Sequence, residues 1–369
     1  MISSVVFYLV IFLVESLLSD YLYKKLQGYE CNRRKQWLFI LLSSLPCVLV
    51  SSIRTEVGTD YYNYYGVFRA VARGVVGEIA FLEPGYVLLI NLCNLLGAGV
   101  RLLFIVSALI FGYGMKYAIF GIAKELEQKS VFVVAFFANS VLFGFSMNGI
   151  RQALAIAFVS VGIYYLIRDD KNRFCIMIVI GALFHITAIS FLAMLFIRKN
   201  MMTPKQLLVT VSTAIVMLVV ISRRDAFVNL FEATGIGVVN KFSDYLSSGI
   251  NVEFVLWKNL IISLPFFSSL IFYKDIERKS KYKASLLLNI CIFEIFVLIA
   301  SQYFAYFFRF RYFMKMAEIM LIPYVTKKIH PSRLITFAYI CYGVFAFVNA
   351  SLSGLNGILP YSSLWFSLG

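Results

Sequence analysis

Twelve continuously apolar runs, each 14 to 24 residues long, dominate this chain at 3–19, 37–53, 84–97, 100–121, 131–146, 150–167, 174–197, 206–222, 255–273, 285–304, 312–325 and 334–352. A helix needs about 20 apolar residues to cross a bilayer. Within lipid, every backbone polar group has to be satisfied inside its own segment or in a closed barrel. Barrel strands would read as stretches of about 10 residues with alternating polarity, and these runs do not alternate. Helices are therefore expected throughout. Composition agrees, because 61% of residues are hydrophobic and 14% are charged, against roughly 25% charged in soluble domains. The sequence predicts an all-α polytopic membrane protein of about 11–12 transmembrane helices, forming one transmembrane domain over residues 1–369. Outer loops 54–83 and 223–254 should carry interfacial helices. No A-x-A-like cleavage site follows the first run, which reads as a retained span.

The formal net charge of +15 has a topological explanation that makes nucleic acid an unneeded partner. Cytoplasmic loops of membrane proteins accumulate Lys and Arg, and 24–35, 198–205, 274–283 and 327–333 show the clearest excess. Segments 54–83, 223–253 and 305–311 then face outward. Two further basic loops, 124–129 and 168–173, fit the inside only if 84–123 crosses an odd number of times and 174–197 goes out and returns. Half-helices Phe174–Phe184 and Thr187–Ile197 meeting near His185 would achieve that, since broken helices occur where backbone lines a polar cavity. A slightly weak charge bias is the alternative. With both loops inside, cytoplasmic segments hold 21 of the 34 basic residues, and topology gives no reason for the rest.

Those remaining charges gather in a few places. Arg54-Thr-Glu56-Val-Gly58-Thr59-Asp60 precedes Tyr61, Tyr64, Tyr65, Phe68 and Ala72, whose spacing draws one aromatic face on an interfacial helix. Gly58 permits a turn, and Thr59 or Asp60 can cap the helix. Such a face suits an aromatic membrane anchor or, beside carboxylates, a carbohydrate. Asn148-Gly149-Ile-Arg151-Gln152 opens a run of small residues, so Arg151 either snorkels to the interface or sits among helices as a fork for phosphate. His185 lies deep in an apolar stretch, as a packing residue or a proton-transfer group. In Tyr306-Phe-Phe-Arg309-Phe-Arg311-Tyr312, a regular helix would point Arg309 and Arg311 apart, with Arg311 in line with Lys315. Glu15 and Glu294 fall mid-span and are expected to pair with Lys or Arg, while Glu83 precedes Pro84. Segment 223–253 could close as a lid. The Cys residues are scattered without a C-x-x-C, and the two His are far apart, so no metal site and no cofactor is expected.

Taken together, Arg54-x-x-x-Gly58-Thr59-Asp60-Tyr61, Glu83-Pro-Gly-Tyr86, Asn148-Gly-Ile-Arg151-Gln152-x-Leu-Ala, Phe184-His185-x-x-Ala188 and the Phe-Arg-Phe-Arg-Tyr run resemble the EpsG-like branch of Wzy-type bacterial polysaccharide polymerases. The resemblance implies a GT-C-like glycosyltransferase of the bacterial cytoplasmic membrane with its active site facing outward. It would join undecaprenyl-pyrophosphate-linked oligosaccharide repeat units into O-antigen, capsule or exopolysaccharide, without metal. Membrane lipid and a chain-length regulator are the further partners implied. Asp60 or His185 would act as base and Arg151 would stabilise the departing pyrophosphate. Arg54, Glu56, Tyr61, Glu83, Gln152, Arg309, Arg311 and Tyr312 would bind substrate. A lipid-glycan transporter or flippase and a membrane O-acyltransferase are the competing classes.

Overall fold

The computed structural model describes residues 1–28, 33–75, 82–197, 263–274, 283–301, 305–328, 332–354 and 356–368, with a few single positions between them. It divides into two compact units, Met1–Leu195 with Ile322–Gly369, and Phe196–Leu321. The architecture is helical, as the apolar runs require. In the first unit the helices are α1 (Ile2–Gly28), α2 (Arg33–Ile53), α3 (Tyr61–Ala72), α4 (Pro84–Leu95), α5 (Gly99–Glu125), α6 (Phe132–Asn148), α7 (Ile150–Ile167) and α8 (Lys171–Ala182). Among the described residues, α1, α2, α5, α7 and a later helix, Ser332–Leu352, are long and apolar enough to cross a membrane. This is a multi-pass membrane protein. The lid expected at 223–253 lies outside the described residues.

Two shorter pieces are the informative ones. Helix α4 has 12 residues and is therefore about 18 Å long at 1.5 Å per residue, well short of a bilayer core. The run at 174–197 is broken, as its charge pattern suggested. Helix α8 ends at Ala182 and a 3-10 helix begins at Ile186 and runs to Phe196. The irregular backbone between them carries His185.

Helix α7 is the centre of the first unit and packs against α5 and α8. Its small residues are buried on two sides, with Ala157 against Gly114 of α5 and with Ala155 and Gly162 against α8, and small side chains allow the close backbone approach that holds helices together in lipid. A second brace is ionic. The Glu15 carboxylate of α1 forms an ion pair with Lys116 Nζ of α5 at 2.8 Å and accepts a hydrogen bond from Asn139 Nδ2 of α6 at 3.1 Å. Pro46 interrupts α2, and the next amide, Cys47 N–H, donates to the same carboxylate at 2.7 Å. Glu15 is thus paired structurally, as expected, and ties four helices together.

The first unit closes with α12 (Ile322–Lys328), α13 (Ser332–Leu352) and a two-stranded antiparallel hairpin, β1 (Tyr361–Ser362) with β2 (Ser367–Leu368). In the second unit, α9 (Leu264–Ile271), α10 (Lys283–Ala300), a 3-10 turn (Ala305–Phe310) and α11 (Arg311–Ile319) enclose a charged cluster. Glu294 Oε1 accepts from Arg311 Nε at 2.8 Å and from Lys315 Nζ at 2.7 Å, and Lys315 also pairs with Glu318. Arg311 reaches Ser263 Oγ at 2.9 Å as well.

Candidate functional site

The loop from Arg54 to Asp60 is built as a brace. Arg54 is 1% exposed. Its Nη1 donates to the carbonyl and hydroxyl of Ser51 at 2.9 and 2.8 Å, and its Nη2 donates to the Met147 carbonyl at 2.9 Å. Those carbonyls belong to the last turns of α2 and α6, where helices leave acceptors without partners. The guanidinium also lies 4.6 Å from the Phe104 ring centre. Arg101 donates in turn to the carbonyls of Ser52 and Arg54. Arg54 therefore sits in the interior, closing two helix ends, and not at an opening where a substrate would meet it.

Beyond it the chain turns through Glu56 at φ 59° and Gly58 at φ 107°. Glu56 is exposed and accepts a hydrogen bond from the Tyr62 hydroxyl. Asp60 occupies the N-cap position of α3 but makes no capping bond with its side chain, and its carboxylate is partly exposed. The loop is held instead by Asn148, whose Oδ1 accepts from the Thr59 hydroxyl at 2.7 Å and from the Asp60 N–H at 2.9 Å. The aromatic face of α3 turns inward. Tyr61 (4% exposed), Tyr64 (6%) and Phe68 (7%) join Tyr86, Phe104, Ile150 and Leu154 in the core. Tyr61 stacks near Phe104 with ring centres 5.4 Å apart, so the ring of this helix that stands free at the surface is Tyr62, 65% exposed.

Tyr64 sets the geometry of the turn between α6 and α7. Its hydroxyl donates to the Asn148 carbonyl and accepts from the Ile150 N–H at 2.8 Å. Burial pushes this hydroxyl up to about 12, so it remains a neutral donor throughout the physiological range. Gly149 lets the Phe145 ring lie close against the turn, since a Cβ there would be 2.8 Å from it. With both flanks fixed, Arg151 leaves the first turn of α7 in one direction and Gln152 turns inward, 4% exposed.

Arg151 meets Glu83 there. Nη1 donates to Glu83 Oε2 at 2.7 Å, with the Arg side chain 36% exposed and the Glu side chain 13% exposed. The other carboxylate oxygen accepts from the Ile186 N–H at 3.4 Å. Gly85 N–H donates to the Leu183 carbonyl at 2.8 Å, and Phe184 stacks on Phe158 at 5.6 Å. These contacts dock the break after α8 onto the heads of α4 and α7. His185 is partly buried one residue from the Ile186 amide, and its Nδ1 lies 3.0 Å from the Thr187 hydroxyl. The sequence-predicted residues Glu83 and Arg151 are thus brought into contact, and the break that carries His185 is docked onto them. Asp60 is tied to the same turn through Asn148.

The second unit separates the other basic pair. The regular helix expected through Arg309 and Arg311 is interrupted, with Phe310 ending the 3-10 turn and Arg311 opening α11. Arg309 is exposed. Arg311 is 6% exposed and engaged by Glu294, so the reading of Arg311 as an open substrate fork is corrected by its enclosure. Tyr312 packs edge-on to Phe308 at 6.5 Å.

One contributor had no signal in the sequence. Residues 356–368 run back over the Arg54–Asp60 loop. Gly58 N–H donates to the Gly357 carbonyl at 2.9 Å, Thr59 N–H to that of Asn356 at 3.3 Å and Thr55 N–H to that of Ser362 at 2.9 Å. Tyr361 fixes the strap by donating to the Val50 carbonyl at 2.9 Å, and Tyr8 donates to that of Ile358. Backbone pairing of this kind has no residue preference, and so leaves no motif.

No curated protein and no solved structure matches the chain. A family model does match, over residues 37–363, a span that includes the Arg54 loop, Glu83, Arg151 and His185. By that match the chain belongs to the EpsG family, whose general role is that of a polysaccharide polymerase.

Proposed function

We propose that this protein joins undecaprenyl-pyrophosphate-linked oligosaccharide repeat units into a surface polysaccharide on the outer face of the cytoplasmic membrane. The observation that carries this reading is the partly exposed Arg151 guanidinium, held at the head of a buried helix beside the break that bears His185. A hydroxyl oxygen of one repeat unit attacks the anomeric carbon of the growing chain. The bond from that carbon to the pyrophosphate oxygen breaks, its electron pair leaves with the pyrophosphate, and the hydroxyl proton passes to a base. A preorganised Arg aimed at the developing charge is worth about 10²–10³ in rate, and Arg151 is placed for that task. His185 and Asp60 are the candidate bases, with the exposed Glu56 as a further candidate for holding sugar. No step needs a metal.

The transporter reading asked buried carboxylates to carry protons. Glu15 is paired with Lys116 and accepts from Asn139 and the Cys47 amide, and Glu294 is paired with Arg311 and Lys315, which favours bracing over transport. The decisive experiment supplies purified protein with lipid-linked repeat units and no other enzyme. Longer glycans support polymerisation. Unchanged units overturn it, and transfer of an acyl group without lengthening would point to an O-acyltransferase.

A further inference from the structure

We infer that Glu83 is a positioning residue that occupies the place of the substrate's phosphate on Arg151 and gives it up by exchange when a diphosphate arrives. The inference rests on the polymerase reading for the identity of the arriving group, and on the geometry of the pair for the exchange.

The Glu83 carboxylate is the kind of planar oxyanion that a guanidinium binds in place of phosphate. It is held from two sides, by Arg151 Nη1 at 2.7 Å and by the Ile186 amide at 3.4 Å. The backbone that carries each donor is fixed without Glu83. The start of the Arg151 helix is held by the Tyr64 hydroxyl on the Ile150 N–H, and the segment before Ile186 is docked through the Leu183 carbonyl and the Phe184 ring. The Ile186 amide therefore stays in place when the carboxylate leaves, and the Arg151 guanidinium is released to an arriving anion from a fixed helix end.

Exposure decides that it can leave. The Arg151 side chain is 36% exposed, and Ile186 is 57% exposed, so a phosphate can approach without opening the helices. Desolvation makes the other carboxylates different. Glu15 and Glu294 are each 1% exposed, and removing one from its cations would strand buried charge. A diphosphate brings more negative charge and more acceptor oxygens than one carboxylate, so it wins the exchange once bound.

The test measures binding of inorganic pyrophosphate to the full-length protein in phosphatidylcholine nanodiscs, by calorimetry. Glu83→Gln removes the internal competitor, and affinity should rise about tenfold over wild type. Glu83→Asp, which shortens the reach, should fall between the two, and Arg151→Ala should abolish binding in either background. Equal or weaker binding by Glu83→Gln overturns the exchange, as does absence of binding to both proteins. Melting curves of the two Glu83 variants check folding, and the Asp variant serves if the Gln variant does not fold. Repeating the titration with phosphatidylglycerol in the disc separates sources of phosphate, because competition by that lipid would assign the Arg151 position to a membrane headgroup and overturn the substrate assignment. Failure of the polymerase reading shows separately: glycans would stay at one unit while Glu83→Gln still binds pyrophosphate more tightly.

Discussion

Two arginines that look alike in the sequence, each near the end of an apolar run and each beside aromatic or small residues, have opposite surroundings. Arg151 has one carboxylate partner and a third of its side chain exposed. Arg311 is 6% exposed and shares Glu294 with Lys315 while also reaching Ser263. A buried pair loses much of its Coulombic gain to desolvation, and breaking one strands the survivor. A pair at the surface can change partners at little cost. Enclosure, more than residue type, therefore separates an arginine that braces helices from one available to a ligand.

The largest expected effect lies on the enclosed side. Glu294→Ala leaves Arg311 an uncompensated buried cation, while Lys315 keeps Glu318, and should cost about 3–5 kcal/mol, seen as a large drop in thermal unfolding temperature in detergent. A variant that melts with the wild type would erase the contrast. Arg151→Ala should instead lower glycan lengthening by about 10²–10³ while the melting temperature changes little. Long chains made at the normal rate would remove Arg151 from the site. Smaller again is Tyr64→Phe, which deprives the Asn148 carbonyl and the Ile150 N–H of a shared buried partner and should cost about 1–3 kcal/mol. Denaturant unfolding measures it, and a neutral result would show that Gly149 alone holds the turn. Least of all is Tyr62→Phe, which removes an exposed bond to Glu56 and should stay within about 0.5 kcal/mol. If chain lengthening nonetheless falls in that variant, Tyr62 touches substrate.

What was legible in advance follows the physics of each signal. Hydropathy revealed the spans because lipid forces every backbone group into a helix. The break near His185 is one of the two readings that loop charges allow, because basic loops on both sides of 174–197 ask that run to go out and return unless the charge bias is weak. The aromatic spacing of α3 was read correctly as one face, but periodicity is the same whether the face meets a sugar or a protein core, and Tyr61 and Tyr64 are in the core. Arg54 stood out as a charge without a topological reason. Its reason is two helix ends that meet in space, 51 and 147 in the chain, which no local pattern encodes. Glu83 and Arg151 were both picked out as single residues, whereas their contact belongs to the tertiary structure.

The strap over the Arg54–Asp60 loop sets a clock on the protein's own synthesis. Tyr361 and Val50, joined by its hydrogen bond, are 311 residues apart. At roughly 5–20 residues per second, translation needs about 15–60 s to cover that distance. Throughout this interval α1 and α2 are already made while the loop that carries Asp60 lacks its backbone partners. The Arg54–Asp60 loop is thus among the last parts of the first unit to be completed, and a nascent chain still on the ribosome holds the Arg151 helix long before that loop has its last backbone partners.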